Sequence, residues 1–328
     1  MNIVFLDAKT IGEDIDLSGY DKLGTVIKYG FSTTEEARER TKDADVVIVN
    51  KVQINETSIG EAEHLKLVCV TATGTNNLDK AYLDAHGIAW RNVAGYSTET
   101  VAQHTFALLF YLWEKLRYYD DYVKSEKYVG DITFTHFDNV FHDLNGKTWG
   151  IIGLGAIGRR VADIAKMFGC HVIYYSTTGK NNQPGYERVE FDELLAKSDI
   201  VSVHAPLTEQ TEGLMNAEAF SKMKPSAIFL NLGRGPIVVE RDLADALENK
   251  TIAGAGHQFI HINRFFICKN FGRDCRCFKP YFFRINLTIP EFICHTFIHF
   301  IFQQLLHKFR SRIFFFLILA FFCREQHF

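Results

Sequence analysis

Trp149-Gly150-Ile151-Ile152-Gly153-Leu154-Gly155-Ala156-Ile157-Gly158, running on through Arg159–Phe168 to Val172-Ile173-Tyr174-Tyr175, is the stretch that decides the fold. An apolar run enters a Gly-x-Gly-x-x-Gly loop. Beyond the loop, apolar side chains recur at Ile157, Val161, Ile164, Ala165 and Phe168, which is helical spacing, and a second apolar run follows. The spacing predicts a strand, a tight loop, a helix and a parallel strand. Gly153 allows the turn, Gly155 lets backbone approach a pyrophosphate, and Gly158 lets the helix lie close on the strand. The helix start at Ala156 and Ile157 then offers free N–H groups and a positive dipole end to phosphate. The three glycines alone would be a weak signal; the strand before and the helix and strand after make it a dinucleotide-binding unit for NAD or NADP.

The second strand ends in Ser176-Thr177-Thr178-Gly179-Lys180. An NAD site ordinarily carries Asp or Glu there to grip the ribose hydroxyls. Hydroxyls and Lys180 in its place suit either ribose or a 2′-phosphate, so the residues leave NAD and NADP both open.

Working outward, the same alternation covers both sides. C-terminal to the loop, strands are expected at 200–204, 227–232 and 251–255, with helices at 191–197, 216–223 and 240–248. N-terminal to it, Ile3–Leu6, Val26-Ile27, Val46–Val49, Leu67–Val70 and Ile88–Val93 read as strands, and the unbroken β-branched run Val46-Val47-Ile48-Val49 marks a buried parallel one. Ser32-Thr33-Thr34-Glu35 has capping-box spacing for a helix reaching Lys42, and Leu78–His86 reads as a short helix. Ser97–Arg117, free of Gly and Pro, reads as one long helix with an apolar face at Val101, Thr105, Leu108, Leu109 and Leu112, and residues 118–145 as a long connection. The expected class is α/β: two Rossmann-like/flavodoxin-like parallel-sheet domains, with 1–98 binding substrate, 99–256 binding nucleotide, and dimerisation elements at 97–145.

Composition breaks at residue 256. Up to Gly256 the chain holds 26 Lys plus Arg against 36 Asp plus Glu; from His257 to Phe328 it holds 10 against 3, with 18 of the 29 Phe and 5 of the 7 Cys. That basic, Phe-rich tail has little helical or strand periodicity. It reads as a frameshifted, inverted or misjoined segment and as an aggregation liability. Its Cys268, Cys275, Cys277, Cys294, His295 and His299 lack two clean Cys-x-x-Cys pairs, so no metal site is expected. Ile313–Cys323 is too short to span a membrane. Overall, 47% apolar and 23% charged residues with a net charge of −3 fit a globular chain with no general pull toward nucleic acid or anionic membrane. The acid at Asp7, with no basic region before it, argues against a signal peptide, so a cytoplasmic protein is expected.

Several motifs carry a family resemblance. Gly146-Lys147-Thr148-Trp149-Gly150-Ile151-Ile152-Gly153, Val203-His204-Ala205-Pro206-Leu207-Thr208 and Met223-Lys224-Pro225 through Asn231-Leu232-Gly233-Arg234-Gly235 resemble the D-isomer-specific 2-hydroxyacid dehydrogenases. Ala72-Thr73-Gly74-Thr75-Asn76-Asn77-Leu78-Asp79 and Gly95-Tyr96-Ser97-Thr98 through Val101-Ala102-Gln103-His104-Thr105 are most similar to the glycerate dehydrogenase (hydroxypyruvate reductase) branch. The resemblance spans residues 1–256. It implies a homodimer, an inserted nucleotide domain, and a last segment of chain that returns to the first domain. It also implies roles. Arg234 would bind the carboxylate of a 2-keto or 2-hydroxy acid and polarise its carbonyl, the amides of Thr73, Gly74 and Thr75 would hold the carboxylate, and Lys51 and Val52 would line the pocket. His204, Pro206, Leu232 and Gly233 would flank the cofactor. D-lactate and D-3-phosphoglycerate are the alternative substrates, and a nucleotide-binding homologue without catalysis or a misfolded product are the alternatives of another kind.

Arg234 also stands on chemistry: a guanidinium is a rigid planar fork matched to a carboxylate, placed here after a buried strand where open α/β sheets take ligands. What the sequence lacks is the family's proton donor, a His paired with a Glu, both expected after the strand that starts at Ile252. Gly256 is followed instead by His257-Gln258-Phe259-Ile260, with no Pro-His pair and only Asp274, Glu291 and Glu325 as later acids. His257, His261, His295, His299, His307 and His327 match by residue type alone, so an impaired enzyme is expected.

Overall fold

A computed structural model describes residues 1–130 and 135–257, which divide into two units after Ala94. In the first unit, β1 (Asn2–Phe5), β2 (Thr25–Lys28), α1 (Thr34–Thr41), β3 (Val46–Val49), α2 (Glu56–Ile59), β4 (Leu67–Val70), α3 (Lys80–Ala85) and β5 (Ala89–Asn92) follow in order. The five strands are parallel in the order β2-β1-β3-β4-β5, so the direction of winding reverses between β1 and β3. All four residues of β3 are buried, as an apolar run in a sheet covered on both faces must be. One face packs on Ala37, Ile59 and Leu83 from the helices, the other on Ile11, Leu17 and Tyr20 from the β1–β2 connection.

The second unit contains α4 (Thr98–Trp113), α5 (Leu116–Lys124), β6 (Thr148–Ile152), α6 (Ala156–Met167), β7 (His171–Tyr175), β8 (Glu187–Arg188), α7 (Phe191–Lys197), β9 (Ile200–Val203), α8 (Ala217–Ser221), β10 (Ile228–Asn231), α9 (Glu240–Glu248) and β11 (Gly254–His257). Its six parallel strands run β11-β10-β9-β6-β7-β8, with the reversal between β6 and β9. Helices α4 and α6 cover one face through Phe106, Leu109, Val161 and Ala165; α7, α8 and α9 cover the other through Leu194, Phe220 and Leu243. Two doubly wound parallel sheets are thus the fold class the sequence predicts.

Three local expectations change. The helix begun near Ser97 stops at Trp113, because Lys115 takes a left-handed backbone (φ 56°) and a separate helix, α5, starts at Leu116. Part of what reads as connection is therefore helical. The cap of α1 is Thr33, not Ser32: Thr33 Oγ1 accepts from Glu36 N–H at 3.2 Å while the Glu36 carboxylate accepts from Thr33 N–H at 2.8 Å. Ser32 is buried and donates to the Leu6 carbonyl, at 2.6 Å. The last strand begins at Gly254 instead of 251 and reaches His257, paired with Asn231.

Candidate functional site

The cofactor- and substrate-binding residues predicted in the second unit follow the carboxyl ends of β6, β7, β9 and β10. Ladder hydrogen bonds continue past the strands: Gly153 N–H donates to Tyr175 O, His204 N–H to Ile152 O and Leu232 N–H to Val203 O. They draw the segments after β6, β7, β9 and β10 together at the point where winding reverses, which is where sheets of this type take ligands.

The glycine loop has three different requirements. Gly153 has φ +91°, and a Cβ there would also sit 2.9 Å from the Ala205 backbone. A Cβ on Gly158 would lie 2.3 Å from the Gly153 carbonyl oxygen, so only glycine lets α6 press onto the loop. Gly155 is the opposite case: a Cβ there meets no atom within 4 Å, so it points into open space. Gly155 is also the N-cap of α6 and offers no side chain to it. The amides of Ala156, Ile157 and Gly158 precede the first helical bond, from Arg159 to Gly155 O. Exposed Gly155 and Ala156 and half-buried Ile157 therefore border a cradle of N–H groups with room in front of it, which fits a pyrophosphate. These residues fit a dinucleotide.

At the end of β7, Ser176 is buried and its hydroxyl accepts from Asn181 N–H at 3.2 Å, while Thr177 is half-buried and Lys180 exposed. Asn181 also donates through Nδ2 to the Leu154 carbonyl, at 2.8 Å, tying this turn to the glycine loop. Within β9, the Ser202 hydroxyl accepts from Trp149 Nε1 (2.9 Å) and lies 3.1 Å from Nε2 of His204, just after the strand. Burial pushes the His204 imidazole down to about 3, so the ring is neutral at neutral pH. Pro206 is exposed, and its carbonyl accepts from the Thr211 hydroxyl at 2.7 Å.

Beyond β10, Asn231 is wholly buried and closes the next turn from both ends: its Oδ1 accepts from Gly233 N–H and its Nδ2 donates to the Arg234 carbonyl, both at 3.0 Å. Gly233 lies against the Ala205 carbonyl, where a Cβ would come within 2.9 Å, and Leu232 is core. Arg234 is half-buried and donates to the Gly233 carbonyl at 3.1 Å. Burial lowers its guanidinium below the usual arginine value, with the neighbouring Tyr96 working the other way. Burial raises the Tyr96 phenol, and Arg234 pulls it back. An arginine stays charged in such surroundings, so the turn presents a fixed cation beside a neutral phenol.

In the first unit, the predicted residues again lie at the carboxyl edge. Asp7, 1% exposed, follows β1 and accepts from three successive amides after β3: Asn50 at 2.8 Å, Lys51 at 2.6 Å and Val52 at 3.0 Å. Lys51 is exposed, whereas the Val52 side chain is 5% exposed and part of the core. The 73–75 loop is framed by Asn92, which donates to Thr73 O at 2.6 Å, by the Thr73 hydroxyl donating to Val93 O, and by Asn77, which donates to Val52 O. Among the described residues no acceptor is bonded to the amides of Thr73, Gly74 or Thr75.

Sequence reasoning overlooked Asp7, Asn181 and Asn231, and gave Tyr96 no role. Only Asn231 carried a local signal: an Asn at a strand end before Gly is turn chemistry. His257 is the one tail histidine among the described residues, buried at the end of β11. His261, His295, His299, His307, His327, the tail cysteines and Ile313–Cys323 lie outside them. Among the described residues no group of His, Cys, Asp and Glu is arranged to hold a metal, and no helix is long and apolar enough to cross a membrane.

The profile of the D-isomer specific 2-hydroxyacid dehydrogenase NAD binding domain matches residues 106–260. A Haemophilus influenzae protein described as a 2-hydroxyacid dehydrogenase is 39% identical over 256 residues, covering 78% of this chain and 81% of that protein. A hydroxypyruvate reductase of Blautia hydrogenotrophica is 36% identical over 265 residues, with the same coverage of each chain. Among solved structures, an acyclic imino acid reductase in complex with NADPH and D-Arg superposes with a TM-score of 0.75 at 28% identity, over 85% of this chain and 89% of that one.

Proposed function

The chain belongs to the D-isomer-specific 2-hydroxyacid dehydrogenases, with an NAD(P)-binding Rossmann-type sheet, and from that premise we propose that it is built to interconvert hydroxypyruvate and D-glycerate. The observation that carries this is Arg234. Asn231 fixes the Arg234 backbone between two glycines at the carboxyl edge of the nucleotide-binding sheet, and the half-buried guanidinium donates back to the Gly233 carbonyl. A 2-keto acid is a small planar anion with a carbonyl next to its carboxylate, and a preorganised guanidinium holds the one and stabilises charge developing on the other. In the first unit, the open amides of Thr73, Gly74 and Thr75 after β4 and Lys51 after β3 are proposed as contacts for a small carboxylic acid. The bound nicotinamide supplies or accepts the hydride. Gly153, Gly155, Ala156, Ile157 and Gly158 hold its pyrophosphate; Ser176, Thr177 and Lys180 border the ribose; His204, Pro206, Leu232 and Gly233 flank the remainder.

Reduction also needs a proton at the carbonyl oxygen, and general acid catalysis contributes on the order of 10²–10⁴-fold. Arg234 cannot supply it, because a guanidinium does not give up its proton in this range. The family's His and Glu have no counterpart in the sequence after Gly256, so we propose that turnover is impaired. NADH and NADPH oxidation with hydroxypyruvate, pyruvate and 3-phosphohydroxypyruvate, run on this chain and on one given a family-type C-terminal segment, tests both statements. Hydroxypyruvate should be the preferred substrate of the completed chain, and the chain as it stands should be slower by that factor. Full activity in the latter removes the impairment; no activity in the former removes the substrate assignment.

A cytoplasmic homodimer completes the reading. Support for the dimer comes from Leu116, Val123, Val129, Phe137, Val140 and Phe141, large apolar side chains that α5 and the segment after it leave exposed in one stretch. Such clustering marks an association surface. Phe137→Asp with Phe141→Asp should convert the dimer to monomer by light scattering.

A further inference from the structure

We infer that the turn after β7 is a 2′-phosphate clamp closed by Arg188, and that this chain takes NADP(H) in preference to NAD(H). The inference rests on reading Gly153–Gly158 as the dinucleotide loop and goes on to choose between the two cofactors.

The turn is built by its own hydrogen bonds. Gly179 N–H donates to Ser176 O, and Gly179 adopts φ +67°. Lys180 N–H donates to the Thr178 hydroxyl and Asn181 N–H to the Ser176 hydroxyl. Asn181 Nδ2 then anchors the turn to Leu154 O inside the glycine loop. The turn is therefore held at a set distance from the loop that would carry the pyrophosphate, and in this fold that position receives the adenosine ribose.

Its chemistry is cationic. Residues 176–185 contain no acid, so nothing in the turn can accept from a ribose hydroxyl as a carboxylate would. Arg188 comes from the neighbouring strand β8, opposite Tyr174 of β7. Its Nη1 donates to Gly179 O at 3.0 Å, and its Nη2 lies 3.8 Å from the point where a Gly179 Cβ would stand. The guanidinium is thus laid across the turn by one of its five N–H groups, leaving others to an anion. Lys180 adds a second exposed cation next to Gly179, and the exposed Thr178 and half-buried Thr177 bring hydroxyls. Among the described residues no carboxylate pairs with Lys180 or Arg188, although carboxylates pair with Arg160, His171 and Lys197 elsewhere in the same unit. A guanidinium held over the turn, with an exposed lysine in the turn and no carboxylate paired to either, favours a dianionic monoester there, and a guanidinium is the group that binds one through more than one hydrogen bond.

Titration of the full chain with NADPH and NADH, followed by nicotinamide fluorescence, tests this without turnover. NADPH should bind about 10–100-fold more tightly, the range for one or two charge-assisted hydrogen bonds. Adenosine 2′,5′-bisphosphate should displace it better than 5′-AMP by a similar factor. Arg188→Gln should remove most of the preference and Arg188→Lys should keep part of it, with unchanged thermal midpoints showing that both variants fold. NADH binding as tightly as NADPH overturns the inference and leaves the dinucleotide reading intact. A preference that survives Arg188→Gln overturns the assignment to Arg188. Binding of neither nucleotide overturns the dinucleotide reading and this inference with it.

Discussion

The two sheets solve one problem in opposite ways. In each, winding reverses beside a central strand, and the chain leaving that region exposes successive backbone N–H groups. After β3, in the first unit, the amides of Asn50, Lys51 and Val52 are already occupied by the Asp7 carboxylate from the end of β1. After β6, in the second, the amides of Ala156, Ile157 and Gly158 face the open space in front of Gly155. An internal anion makes the first arrangement a structural joint; glycine in place of an anion makes the second a receptor. The difference teaches that the same topology does not by itself make a nucleotide site.

Four substitutions probe that contrast. Asp7→Ala should have the largest effect. It strips the acceptor from the buried amides of Asn50 and Val52 and from the part-buried amide of Lys51, at about 1–3 kcal/mol for each buried group left unmade. Urea denaturation should show a loss of about 2–6 kcal/mol, with hydrogen exchange accelerated through β1 and β3 and nucleotide affinity unaltered in the protein that remains folded. Retained stability would mean that the joint is dispensable.

Gly158→Ala comes next. Its methyl would have to displace the Gly153 carbonyl, 2.3 Å away, and such overpacking costs about 1–3 kcal/mol. Stability and dinucleotide affinity should fall together. Gly155→Ala should separate them: with nothing within 4 Å of the new methyl, the melting temperature should hold while affinity drops about tenfold, equivalent to about 1.4 kcal/mol. If Gly155→Ala destabilises without changing affinity, the cradle is not a receptor.

The smallest effect concerns His204, on the receptor side of the contrast. Its folded value lies near 3, below the 6.5 of a free imidazole. Between those limits the unfolded chain binds a proton that the folded chain refuses, so stability is complete above about pH 6.5 and falls with pH down to about 3. For a half-buried ring the slope should stay below the full ~1.4 kcal/mol per pH unit. His204→Asn should flatten acid unfolding curves over that window, and an unchanged curve would remove His204 as its source.

The contrast also explains which features could be read from the sequence. The receptor was legible because its logic is local: three glycines at fixed spacing, an apolar strand before and a helical stripe after, all within residues 149–175. The joint was not. Asp7 is one acid after one strand, and its partners lie 43 to 45 residues later. The same holds on a smaller scale at the start of α1. Two neighbouring hydroxyl residues suit the cap equally well, and the choice falls to Thr33 because Ser32 is drawn to the Leu6 carbonyl, 26 residues away. The helix break at Lys115 left no mark either, since it required neither Gly nor Pro.

What the sequence alone determined is therefore the α/β alternation, the glycine loop and the family motifs around Arg234, together with the compositional break after Gly256. Periodicity and the steric needs of glycine act over a few residues, so they can be written in a short stretch of chain. The tertiary structure alone decided which polar groups serve as joints and which stay open. Asp7 reaches from the end of β1 to the amides after the neighbouring β3, Asn181 ties one loop to another, and Arg188 reaches back nine positions to the Gly179 carbonyl. Those partnerships are set by strand order and register, which bring distant residues to one sheet edge and leave no local trace.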